Sequence, residues 1–230
     1  MELVASATER STAGTDALLA LVCLGCFLQL RRFRDCDAWK VGIWSGAFAL
    51  LGVGALLGAI AHGFEMADGV RALLWAPLYL SLGLAVALFG TGAVHDMFGP
   101  RASRRALPVL VVTALAFFAL TLLDGRFLAF VLYEGVVMAL ALAAYAWLAV
   151  TARLPGAGWM AVGIVLSLLA AALQATRIVP RLELVWTFDH NGIFHLVQMP
   201  ALILLALGLT MALRARPTAG DIRALSLDRA

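Results

Sequence analysis

Residues 41–64 read VGIWSGAFALLGVGALLGAIAHGF, a run of twenty-four residues without a charged side chain. A helix rises 1.5 Å per residue, so about 20 apolar residues cross the hydrocarbon core of a bilayer, and this run is long enough. Six further runs of the same character, bounded by charge, Gly or Pro, fall at 16–30, 71–94, 106–123, 127–151, 158–176 and 191–213. The joins carry strong punctuation, among them Arg31-Arg32-Phe33-Arg34-Asp35, Phe98-Gly99-Pro100-Arg101, Asp124-Gly125-Arg126, Leu154-Pro155-Gly156 and Pro180. The expected fold is an all-α, polytopic membrane protein, a bundle of seven transmembrane helices over 16–213. An extracytoplasmic segment at 1–15 precedes it and a cytoplasmic tail at 214–230 follows.

Composition agrees. Of 230 residues 63% are hydrophobic and 13% charged, and the mean hydropathy is +0.96, far above a soluble domain with its ~45–50% apolar residues. The lipid bilayer is the first expected partner. The net charge of +3 does not point to nucleic acid, because the cations sit in short clusters between apolar runs, where they set topology. Twelve of the seventeen Lys and Arg fall in one alternate set of loops, which includes Arg31, Arg32, Arg34, Lys40, Arg101, Arg104 and Arg105. The positive-inside rule then places the N-terminus outside and the C-terminus inside. The segment 1–16 has no basic n-region, so the first span reads as retained rather than cleaved. Cys23 and Cys26 lie inside that span and read as small packing residues.

Oriented this way, the polar residues that hydrophobicity does not explain converge on one depth near the outer ends of the helices. Asp16 opens the first helix, His62 and Glu65 close the second, and Glu134 lies about two turns into the fifth. Gln174 and Arg177 close the sixth, and Asp189, His190, Asn191, His195 and Gln198 open the seventh. At the inner ends only His95 and Asp96 stand out, beside a basic loop, and Lys40 reads as a residue of the cytoplasmic edge. Ionisable groups in a bilayer cost ~2.5–3.5 kcal/mol each on insertion scales, so several at one level imply a shared polar cavity. Asn191, His195 and Gln198, spaced four and then three apart, share one helical face. His62 and Glu65 are three apart, so Glu65 is placed to orient His62. Glu134 is either functional or ion-paired with Arg177 or Arg71. The six tryptophans read mostly as an interfacial belt, and Gly46, Gly52, Gly54 and Gly58 as a close-packing face.

Three of the four histidines therefore fall at the outer level. Three imidazoles plus a water form a common catalytic zinc arrangement, with carboxylates such as Asp16, Glu65, Glu134 or Asp189 as orienting groups or general base. The histidines also admit a non-metal reading as hydrogen-bonded helix-end residues, or a bis-histidine haem on His62 and His195. No lysine lies in the last helix to form a retinal Schiff base.

The seven spans, a histidine late in helix 2 and paired histidines opening helix 7 resemble the seven-helix membrane hydrolases that include alkaline ceramidases and the adiponectin/progestin receptors. The phrase Phe188-Asp189-His190-Asn191-Gly192-Ile193-Phe194-His195-Leu196-Val197-Gln198 also resembles a bacterial membrane family with Phe-Asn/Asp-His-Asn-x-x-x-His-Leu-x-Gln at the start of its last helix. In three places the chain departs from the hydrolase pattern: four residues, not three, separate His190 from His195, Gly58 stands where a serine is expected, and helix 3 has no aspartate in its membrane portion. The likeness to the bacterial family implies a bacterial inner membrane as the location. The resemblance implies a Zn2+ ion held by His62, His190 and His195, and hydrolysis of an amide or ester in a lipid-like substrate. Glu65 or Asp189 would serve as base or orienting group, and Glu134 would position the substrate. The competing expectation is a non-catalytic seven-helix ligand-binding, sensing or proton-handling module.

Overall fold

A computed structural model describes residues 2–124, 128–176, 181–183 and 186–215. Most of the C-terminal tail, Arg126, Arg177 and Pro180 lie outside them. Among the described residues seven helices are each long and apolar enough to cross a membrane, and the chain is an integral membrane protein. They are α1 (Ala7–Arg31), α2 (Ala38–Gly63), α3 (Asp68–Phe98), α4 (Pro100–Asp124), α5 (Leu128–Val150), α6 (Ala157–Thr176) and α7 (His190–Arg214). Two short strands, β1 (Leu182–Glu183) and β2 (Thr187–Phe188), form an antiparallel pair just before α7.

The contacts between the helices define a ring. α1 packs on α2, α2 on α3, α3 on α5, α5 on α6, α6 on α7, and α7 back on α1. α4 stands outside the ring against α3 and α5 and is the least buried of the seven. The outward surface is apolar, with Leu73 74% exposed and Leu140 67% exposed, a surface that suits hydrocarbon rather than water. Inside, Trp44, Phe48, Tyr145, Met160 and Leu205 belong to one continuous core. Close approach at the α6–α7 contact depends on two glycines. Gly156 has a positive φ of 83°, and a Cβ there would collide with the Gly208 carbonyl. A Cβ on Gly208 would in turn lie 2.6 Å from the Gly156 oxygen.

The helix ends follow local capping chemistry. Asp37 caps α2 by accepting the Lys40 amide at 2.9 Å, and Asp189 caps α7 by accepting the Asn191 and Gly192 amides, each at 3.0 Å. α1 starts at Ala7, nine residues before the expected boundary, so much of the 1–15 segment is membrane-helix wall. Its hydroxyl side chains turn inward, with Ser11, Thr12 and Thr15 buried. Ser11 Oγ and Thr15 Oγ1 also bond back to their own helix, donating to Ala7 O and Ser11 O at 3.0 Å. Such bonds satisfy hydroxyls that would otherwise be orphaned in an apolar bundle.

In the following, the upper end is that of the α1 and α7 N-termini. At the lower end Lys40 stands in the first turn of α2, at the edge as expected, but its side chain is covered. Lys40 and Asp96 pair at 2.6 Å with both side chains fully buried, and the Tyr145 hydroxyl donates to the second Asp96 oxygen at 2.9 Å. Beside them His95 Nε2 meets Asp37 Oδ2 at 3.1 Å, and Trp39 Nε1 donates to Ser103 Oγ at 2.9 Å. This lower network ties α2, α3, α4 and α5. Removing one member of a buried pair strands the other and costs about 3–5 kcal/mol, whereas replacing both by apolar residues is often neutral. Lys40→Met and Asp96→Leu are therefore each expected to lower the unfolding free energy in micelles by about that amount, and the double variant to recover a large part of it. Single variants as stable as the wild type would contradict this assignment.

Candidate functional site

α1 carries the residues that build the upper site. Glu9, Thr12 and Asp16 are spaced three and then four apart and share one face. Each meets a polar residue on another element or shares a cavity with one. Thr12 Oγ1 donates to Asp189 Oδ1 at 3.2 Å. Glu9 Oε2 lies 2.6 Å from His62 Nδ1. Asp16 Oδ1 lies 3.2 Å from His195 Nε2, and Thr15 Oγ1 lies 3.0 Å from the other ring nitrogen, Nδ1.

The Thr15 hydroxyl carries one proton, and the Ser11 and Thr12 carbonyls stand within its reach at 3.0 and 2.9 Å, alongside His195 Nδ1. Asp16 and His195 thus form a pair across α1 and α7, with Thr15 on the other ring nitrogen.

The pair lines a cavity of about 440 Å³, within the usual 300–1,000 Å³ range of ligand pockets. One part of its wall is polar, with His62, Glu134, Gln174, His190, Asn191 and Gln198. The other is apolar and aromatic, with Trp75, Leu78, Tyr79, Leu82 and Phe130. Two amide contacts hold the α7 side: Gln174 Nε2 donates to Asn191 Oδ1 at 3.0 Å, and Gln198 Nε2 donates to Ser167 Oγ at 3.1 Å. The expected common face of Asn191, His195 and Gln198 is present, since all three line the cavity. No described lining residue is Lys or Arg.

Other expectations change. Glu65 lies beyond the end of α2, is exposed and is absent from the cavity wall; the carboxylate on His62 is Glu9, which the reading of 1–15 as an external segment hid. Asp189 also lies off the wall, its Oδ1 occupied by two backbone amides and Thr12, and it caps α7. Glu134 does line the cavity; it makes no ion pair with Arg71, and its other expected partner, Arg177, is outside the described residues. Trp44 is in the core, and Trp75 packs edge-on against the His62 ring at 5.3 Å, so neither belongs to an interfacial belt. The glycines of α2 serve two neighbours. Gly52 and Gly58 meet Cys23 and Asp16 of α1, and Gly46 and Gly54 meet Leu88 and Leu82 of α3.

The zinc expectation meets a different geometry. His62, His190 and His195 all line the cavity, but among the described residues no three His, Cys, Asp or Glu side chains converge closely enough to hold a metal ion. Both ring nitrogens of His195 already have protein partners. The three-histidine centre does not fit the side chains as they stand, and no chemical step is derived through it.

Gly58 is the tightest point of the site. A Cβ there would lie 2.8 Å from Asp16 Oδ2 and 3.0 Å from its carboxyl carbon, so the missing serine is the space that the carboxylate fills. Overpacking of this kind costs about 1–3 kcal/mol. Gly58→Ala is expected to destabilise the wild type by that amount and to cost much less in an Asp16→Ala background, measured by micelle unfolding as a double-mutant cycle. Equal cost in both backgrounds would show that the two residues do not touch.

No curated protein and no solved structure matches the chain. A family model described as a family of unknown function, DUF6962, matches residues 11–214, from the inward-facing hydroxyls of α1 to the end of α7, and the chain belongs to that family.

Proposed function

We propose that the chain is a membrane-embedded binding module for an amphiphilic, lipid-like ligand with a neutral or cationic polar head. The observation that carries this reading is the composition of the cavity wall: amides, imidazoles and two carboxylates against an aromatic and aliphatic wall, with no Lys or Arg among the described lining residues. The apolar wall suits an acyl or alkyl chain, and the polar wall offers hydrogen bonds to an amide, hydroxyl or amine. An anionic head would meet Asp16 and Glu134 without a compensating cation. The charge bias of the loops supports an N-out, C-in orientation, which opens the cavity to the outer side of a bacterial inner membrane.

A second reading, hydrolysis of an amide or ester bond in the same amphiphile, is favoured by one specific feature. Nδ1 of His195 is held on Thr15 and Nδ1 of His62 on Glu9, and imidazoles fixed in this way are typical of rings whose other nitrogen does chemistry. In that reaction the water oxygen bonds to the carbonyl carbon, the C–N or C–O bond breaks, and the leaving atom takes a proton. Among the described residues no Ser, Thr, Cys or Lys lines the cavity, so the attack would fall to water alone.

One experiment separates the readings. Purified protein is mixed with N-dodecanoylethanolamine, dodecylamine or dodecanoate, and both thermal stabilisation and product release are followed. The amide and the amine are expected to raise the melting temperature while dodecanoate does not, and the amide is recovered intact. Release of dodecanoate and ethanolamine that is lost in Asp16→Asn would replace binding by hydrolysis. No stabilisation by the amide or the amine would overturn the binding reading.

A further inference from the structure

Two spaces meet inside the ring. The cavity of about 440 Å³ adjoins a deeper void of about 50 Å³, and five residues line both: Leu51 of α2, Val86 of α3, Glu134 of α5, and Gln198 and Leu202 of α7. Four helices therefore surround a neck between the spaces. Three of its members are aliphatic, and the two polar ones are Glu134 and Gln198.

Elsewhere in the bundle the acids have partners: Asp96 has Lys40, Asp37 has His95, Glu9 has His62 and Asp16 has His195. Glu134 makes no hydrogen bond or ion pair among the described residues. Nor is its carboxylate sealed in. Trp44 Nε1 is the one buried side-chain nitrogen or oxygen among the described residues that lacks a hydrogen-bond partner, so the Glu134 oxygens open onto the space they line. The same holds for Gln198 Oε1, because the Gln198 amide is engaged only through Nε2, which donates to Ser167 Oγ at 3.1 Å. The neck thus presents a carboxylate and an amide oxygen, with no Lys or Arg among the described residues that line either space.

Acceptors gathered without donors define what they bind. An unanswered polar group in an apolar interior is costly, and a carboxylate most of all. A primary ammonium brings one positive charge and three N–H donors, which suit two carboxylate oxygens and one amide oxygen. An anionic head would be repelled there, and a quaternary ammonium would bring charge without donors. Above the neck Leu82, Tyr79, Leu78 and Trp75 continue the α3 wall toward the upper end, a rise of about 16 Å from Val86 to Trp75 along which an alkyl chain can lie.

We propose that the ligand's polar head is a primary ammonium, held at this neck by Glu134 as its counter-ion and by Gln198 Oε1 as a second acceptor. This rests on the binding reading above and narrows its head group from neutral or cationic to a cation with N–H donors.

The test is affinity in micelles, read from the melting-temperature shift across a concentration series, for dodecylamine, dodecyltrimethylammonium and N-dodecanoylethanolamine on wild type and Glu134→Gln. On wild type the amine is expected to bind roughly 10-fold or more tightly than either of the others. Glu134→Gln is expected to weaken the amine by roughly 10–100-fold and the neutral amide by less than about 3-fold. An amine no tighter than the trimethylammonium compound, or bound as well by Glu134→Gln as by wild type, would overturn this proposal while binding of the amide leaves the broader reading in place. If neither the amine nor the amide binds, both fall. Should Glu134→Gln fail to fold, the order of the three ligands on wild type decides.

Discussion

The contact of His195 with Thr15 and Asp16 is the constraint around which the upper half of the molecule is arranged. It joins the first helix to the last and so closes the ring of six at the level where the cavity opens. An imidazole and a carboxyl group in an apolar bundle would each be costly alone. Set 3.2 Å apart, with a hydroxyl fixing the far ring nitrogen, they satisfy one another. The neighbouring contacts repeat the pattern along the same face of α1, where Thr12 reaches Asp189 and Glu9 reaches His62.

The two ends of the ring solve the same problem with different chemistry. At the lower end a full ion pair, Lys40 with Asp96, is sealed from solvent and supplemented by Tyr145; a closed network of this kind fixes helix register. At the upper end the polar groups surround open space, and two of them, Glu134 and His190, make no side-chain hydrogen bond among the described residues. Polar groups that face one another are explained by packing, whereas polar groups that face a cavity call for a ligand. That contrast, more than the count of ionisable residues, is what supports a ligand at the upper end.

Much of this was legible in the sequence. The seven spans were, because a hydrocarbon layer imposes a length and a polarity that composition records directly. The convergence of His62, Glu134, Asn191, His195 and Gln198 was also legible, since helix boundaries and span direction fix depth. The contribution of α1 was not. Glu9, Arg10, Ser11 and Thr12 read as an external segment by hydropathy, and only tertiary packing turns the hydroxyls inward. The three-to-four spacing of Glu9, Thr12 and Asp16 was the available signal, outweighed by polarity. The burial of Lys40 was hidden for a related reason: depth along a helix does not reveal whether a neighbour covers the side chain. Glu65 was paired with His62 on spacing alone, and the end of α2 at Gly63 removes it from that face.

The joining of α1 to α7 through His195 is what the arrangement of the upper end rests on. Nitrogen NMR of histidine-labelled protein, with the His195 signals identified in His195→Gln, reads it directly. The Nε2 signal is expected to shift when Asp16 is replaced by Asn, and the Nδ1 signal when Thr15 is replaced by Val. His195 signals indifferent to both replacements would contradict the contact.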